Sequence, residues 1–254
     1  MVFRFLAIIA LSFWGGLLLA QSVPAPSQDS VADLLQAIEQ KQFDRVEQIL
    51  ASAHEKLRQD LETPDQLRNR FGVFETTNPD VIEFVSTWRA RNPDSIYAKT
   101  AQTWVFYAIG SNVRGVKFIR QTYPVALEIH RNMYSEAQDL AMQAFTEDNA
   151  LISASDAVIV LSSFTGNQNA ALEVLGRVME LRPNWGSLTR ALDMTNQQYD
   201  GSVELADALC NYFGPLIPET NVDIVQACVT WASFVYHGHR RDEIREWMRE
   251  SESS

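Results

Sequence analysis

Few residues in this 254-residue chain are spaced for chemistry. The most suggestive run is His237-Gly238-His239-Arg240-Arg241-Asp242-Glu243, where two imidazoles and a carboxylate supply three metal-ligand groups. Against a metal centre, Arg240 and Arg241 would repel a cation, and the run falls in a turn between two helical patterns, where polar side chains are solvated. We expect no metal and no cofactor. Dinucleotide-binding G-x-G-x-x-G, a Walker-type Gly-Lys-Ser/Thr loop, H-E-x-x-H and G-x-S-x-G are all missing. His54 and His130 stand alone on helical segments, and Glu147-Asp148 reads as a loop or capping pair near a helix end. With 32 Asp and Glu, a two-carboxylate glycoside hydrolase remains open, but no pair is singled out and no residue is assigned a catalytic role.

Binding chemistry has more to work with. Trp104 and Tyr107 are three residues apart, and Ser111 and Arg114 continue the same helical face, with Arg120 beyond them. Aromatic and arginine side chains are the types that anchor protein contacts. Trp104, Tyr107, Arg114 and Arg120 are therefore the candidate groove. The competing reading makes Trp88 and Trp104 core spacers between helices, with Arg114 a cap or the partner of a buried acid.

Cys210 and Cys228 form an even pair. Each sits on an apolar helical face, Leu205-Ala206-Leu209-Cys210-Phe213 and then Ile224-Val225-Cys228-Val229-Ala232, with Gly214-Pro215 and Pro218 breaking the chain between them. Two antiparallel helices would bring the sulfurs within reach, so a disulfide is expected. The alternative is two buried thiols packed as small hydrophobes.

Compartment follows from the first residues. Met1-Val2-Phe3-Arg4 carries one positive charge, Phe5 to Leu19 is uncharged and mostly apolar, and Leu18-Leu19-Ala20 precedes Gln21. That is the layout of a secretory signal peptide over 1–20, too short to span a bilayer comfortably. Residues 21–29 read as a Pro/Ser linker, 30–250 as one helical domain, and 251–254 as a disordered tail. Export to a periplasm or outside the cell suits the cysteine pair. Lys and Arg total 21 against 32 acids, a net charge of −11. Such a surface disfavours nucleic acid and anionic lipid as partners.

The elements that must position these groups are helices throughout. Thr63-Pro64-Asp65-Gln66 is a capping box with Pro at the first helical position, and Asn78-Pro79-Asp80 and Asn92-Pro93-Asp94-Ser95 open two more helices. Pro124 starts a longer helix, and Asn149 is placed as the cap of a helix over 150–165. The β-branched run Ala157-Val158-Ile159-Val160-Leu161 lies inside a helical period, so it too is assigned to helix.

Two segments repeat a helix, a Gly-containing turn and a helix: 157–183, with its turn at Gly166, and 231–247, with its turn at Gly238. A weaker copy covers 34–43. These resemble the tetratricopeptide (TPR) unit, in a degenerate array. Over roughly 85–215 the resemblance is closer. Trp88, Asn92-Pro93-Asp94-Ser95, Arg114-Gly115, Glu180-Leu181-Arg182-Pro183 and Asp200-Gly201-Ser202 resemble a TPR-like family of bacterial exported proteins catalogued as a domain of unknown function. Thr195-Asn196-Gln197-Gln198-Tyr199 stands where that family often carries Lys/Arg-Trp-Gly. The resemblance implies an all-α, irregular TPR-like α-solenoid and assigns no reaction. The expectation is an exported, non-catalytic module for a protein or peptide ligand, without stable membrane insertion. An exported hydrolase with carboxylates as acid and base, acting on cell-wall or other glycans, is the alternative.

Overall fold

A helix that is apolar on every side has to be buried on every side. Residues 152–163 come close to that pattern, with seven apolar residues, four serines and one aspartate, Asp156, and the fold is organised around them. The computed structural model describes residues 30–115, 122–196, 201–218 and 224–236. Their helices are α1 (Val31–Glu39), α2 (Phe43–Arg58), α3 (Pro64–Phe71), α4 (Pro79–Arg91), α5 (Ile96–Arg114) and α6 (Pro124–Glu147). These are followed by α7 (Ile152–Thr165), α8 (Gln168–Leu181), α9 (Trp185–Ala191), α10 (Val203–Phe213) and α11 (Ile224–Tyr236). No strand occurs among the described residues. The expected signal peptide 1–20, linker 21–29 and tail 251–254 lie outside the described residues, as do Arg120 and the His237–Glu243 run. No helix among the described residues is long and apolar enough to cross a membrane.

Every residue of α7 from Ile152 to Ser163 is buried. It packs against α3, α5, α6, α8 and α9. Consecutive helices pair as hairpins, α5 with α6, α7 with α8 and α10 with α11. A second set of contacts links the odd-numbered helices to one another, α3 to α5, α5 to α7, α7 to α9 and α9 to α11.

Local chemistry explains most helix starts. Thr63 and Gln66 form the expected capping box on α3, and Ser30 with Asp33 forms another on α1. Asn78 and Ser95 cap α4 and α5, while Asn167, Asn184 and Ser202 cap α8, α9 and α10. The start expected at Asn149 is displaced. Asp148 Oδ1 accepts from the Ala150 amide at 3.0 Å, turning the chain, and α7 begins at Ile152 behind Leu151 with no side-chain cap.

Several residues that carry the TPR-like resemblance have local structural duties. The Trp88 indole donates to Glu47 Oε2 at 3.0 Å, and the Ser95 hydroxyl reaches both Glu47 oxygens at 2.8 Å. Ser95 also caps α5 by accepting from the Ala98 amide at 3.0 Å. One carboxylate from α2 thus ties the end of α4 to the start of α5. Gly115 ends α5 at φ 66°, a conformation a side chain rarely adopts.

Candidate functional site

Asp156 stands in the middle of α7 and is completely buried. An isolated carboxylate there would carry a heavy desolvation cost, so the chain surrounds it with cations. Arg68 Nε of α3 donates to Asp156 Oδ2 at 2.7 Å, and Arg190 Nε of α9 lies 3.3 Å from the same oxygen. Ser187 donates its hydroxyl proton to Oδ1 at 2.6 Å. Burial by itself would raise the Asp156 pKa. The charges of Arg68 and Arg190 and the hydrogen bonds from Arg68 and Ser187 outweigh it and hold the carboxyl below its ordinary value.

Arg68 is as fully engaged. Besides Asp156 it reaches Asn184 Oδ1 at 3.0 Å and pairs with Asp65 on its own helix. Burial works to lower the Arg68 pKa, and the two carboxylates more than offset it, so the pKa is raised. Asn184 joins the network to the backbone by accepting from the Ser187 amide at 2.9 Å. Gly186 is needed beside it, because a Cβ there would fall on the Arg68 guanidinium.

This network forms one wall of a cleft of about 410 Å³ between α3, α9 and α11, lined by Asp65, Arg68, Asn69, Trp185, Arg190 and Trp231 among others. The two tryptophans meet edge to face with centroids 6.0 Å apart. Trp231 is buried and Trp185 is half-buried, so Trp185 is the ring that offers surface to the cleft. Two arginines held from behind by a buried anion, with the half-buried Trp185 ring beside them, thus line this cleft.

Of the sequence-derived groove residues, Trp104 lies on the inner side of this network. It is 3% exposed, and Arg190 crosses its ring at 4.8 Å from the centroid. Trp88 is likewise in the core. Tyr107 meets Trp104 edge to face at 5.6 Å and stacks on Tyr134 of α6 at 5.5 Å. Arg114 lines a different cleft, of about 430 Å³, with Ser111, His130, Tyr134 and Phe164. There the Ser111 and Tyr134 hydroxyls are 2.7 Å apart, and His130 Nδ1 donates to the Gly110 carbonyl at 3.1 Å. Burial lowers the His130 pKa, with the Gly110 carbonyl acting against it. The structure therefore strings Trp104, Tyr107 and Arg114 along α5 between two clefts. It does not gather them in one groove.

His54 and the Glu147-Asp148 pair also have more defined places than their spacing suggests. His54 is 1% exposed, with Nδ1 3.3 Å from the Tyr97 hydroxyl and 4.0 Å from Asp148 Oδ2. Asp148 also pairs with Arg58, and Glu147 with the buried Lys99. Burial lowers the His54 pKa against the pull of Asp148, and burial pushes the Tyr97 hydroxyl up to about 12.

Sequence reasoning misses Arg68, Asp156, Trp185 and Arg190. A lone Asp within the small and apolar run Ile152-Ser153-Ala154-Ser155-Asp156-Ala157-Val158 is the available signal, since a helix buried all round makes any charge on it an internal one. Cys210 and Cys228 have Cα atoms 5.4 Å apart and sulfurs at bonding distance, between α10 and α11. No group of three His, Cys, Asp or Glu among the described residues is placed to hold a metal ion. Compared with family models, with curated proteins and with solved structures, the chain matches none.

Proposed function

We propose that the chain is an exported, non-catalytic binding module that takes a protein or peptide segment in the cleft of Trp185, Arg68 and Arg190. The observation that carries this reading is the buried Asp156, which fixes both arginines against α7 before any ligand arrives. Preorganised arginine and aromatic side chains lose little freedom on binding, which is where affinity for an extended segment comes from. Asp156 is completely buried and faces Arg68, Arg190 and Ser187, so its place is to hold the cleft's arginines and not to reach a substrate.

The same reading takes the fold as an irregular TPR-like α-solenoid. Its support is the pairing of successive helices, with odd-numbered helices touching one another along the array, as stacked hairpins do. Export rests on the apolar start of the chain and on the cysteine pair at bonding distance.

The test is a panel of displayed random peptides, with hits re-measured by fluorescence polarisation. Binding should fall at least about tenfold in Trp185→Ala, with the circular dichroism spectrum and melting temperature retained. Peptides that bind both proteins equally would place the ligand elsewhere, and a panel without hits would sink the peptide-module reading.

A further inference from the structure

A third cleft, of about 480 Å³, lies where the α1–α2 turn and the start of α2 meet the end of α4. Its lining includes Lys41, Phe43, Arg45, Gln48, Arg91 and Asn92, with Asp44 as the acidic member. The lining holds three cations and one acid, with Glu83 paired to Lys41 just outside it, in a chain whose net charge is −11. None of these residues lines the tryptophan cleft, so a ligand here is independent of the peptide segment proposed above.

Arg91 is the central group. Its guanidinium carbon lies 4.5 Å over the centroid of the Phe43 ring. Phe43 is in turn stacked on Phe84 at 4.7 Å, and Phe84 is rooted in the core at 1% exposure. The guanidinium thus rests over an aromatic platform beside the cleft that Arg91 lines. Arg91 is exposed and makes no hydrogen bond or ion pair with another described residue. Arg68 and Arg190, by contrast, are engaged by Asp156. Lys41, on the same cleft, is held only by Glu83 at 3.0 Å in a solvent-exposed pair, the kind that contributes little and rearranges readily.

We propose that this cleft is an oxyanion-binding site in which the Arg91 fork takes a carboxylate or phosphate group, with Lys41 beside it. The fork geometry fits two oxygens of either group. Its rigidity comes from the Phe43–Phe84 stack, which separates a built site from a diffuse patch of positive charge.

The experiment is titration of the full chain with sodium phosphate and, separately, with sodium acetate at constant ionic strength, followed through the arginine Nε–H NMR signals. A saturable shift of the Arg91 signal is expected. A response to both salts identifies a general oxyanion site open to peptide carboxylates, and a response to phosphate alone identifies a phosphate site. Arg91→Ala should weaken binding at least about tenfold, and Arg91→Lys should recover only part of it. Phe43→Leu, which leaves every charge in place, should weaken binding roughly two- to fivefold. Thermal melting of each variant checks that the fold is kept. No saturation with either salt, or equal binding by wild type and Arg91→Ala, would overturn the proposal. Unchanged affinity in a folded Phe43→Leu would also overturn it, by reducing the site to unstructured charge.

Discussion

Arg68 and Asp156 are 88 residues apart in the chain and share a 2.7 Å hydrogen bond at the centre of the molecule. Together with Arg190 they bind α3 and α9 to the middle of α7. Removing Asp156 takes away the buried anion that both arginines face; Arg68 keeps Asp65 and Asn184, but the charge that offsets the burial of the two guanidiniums is lost, which is far more costly than never having built the group. Asp156→Ala should therefore lower the free energy of unfolding by about 3–5 kcal/mol. Urea unfolding followed by circular dichroism measures it. A loss under about 1 kcal/mol would mean that the network adds nothing to the packing of α7.

Acid should weaken the fold in two steps. The His54 pKa in the folded chain is lowered from its ordinary value of 6.5, chiefly by burial, among Asp148, Arg58, Glu55 and Tyr97. The unfolded chain then binds the proton more readily, so this contribution is fully present above about pH 6.5 and declines as the pH falls toward the lower folded value. Asp156 acts in the same direction further down. Its folded pKa lies below 3.8, so the stability it supplies is present above that value and is lost as the pH falls through the folded one. Melting temperatures of wild type and His54→Gln between pH 7.5 and 5.5 separate the first step. The wild type should lose more stability than the variant over that interval, and parallel curves would show that His54 does not set the dependence.

The all-α class is legible in the sequence because it depends on short-range rules. Thr63-Pro64-Asp65-Gln66 and Asn92-Pro93-Asp94-Ser95 announce helix starts from within four residues, and Cys210 and Cys228 lie in neighbouring helices with one break between them. Asp156 obeys no such rule. Its partners come from residues 68 and 190, and nothing local to any of the three says that they meet. Trp104 and Tyr107 share one helix, as their spacing requires, but a helix in the middle of a packed array shows different neighbours at each turn. Trp104 meets Arg190 and Tyr107 meets Tyr134, so equal spacing does not make a common groove.

Glu47 offers a local test of the same principle. Its carboxylate is the acceptor for the buried Trp88 indole and for Ser95, the cap of α5. Glu47→Ala would leave the Trp88 N–H without an acceptor at 0% exposure, a loss of about 1–3 kcal/mol. Glu47→Gln keeps one acceptor oxygen and should cost less. Hydrogen exchange should show the effect first in the opening turn of α5. Equal protection there in Glu47→Ala and wild type would show that Ser95 holds its cap unaided.

The cysteine pair should act on the tryptophan cleft as well as on stability. Cys228 and Trp231 are one turn apart on α11, and Trp231 meets Trp185 at the cleft wall. Pinning α11 to α10 through Cys210 therefore also limits how far Trp231 can move. The bridge spans a sequence separation of 18, and closing a loop of that size in the unfolded chain corresponds to about 3 kcal/mol at most. The α10 and α11 hairpin already holds the ends together, which reduces the figure. Cys210→Ser with Cys228→Ser should thus lower the melting temperature and speed hydrogen exchange in α10 and α11 before α5 or α7. It should also increase quenching of tryptophan fluorescence by acrylamide, and most of that increase should vanish when Trp231 and Trp185 are replaced by Phe. Two free thiols per chain in the denatured, unreduced protein would remove the premise. Faster exchange without added quenching would confine the bridge to stability alone.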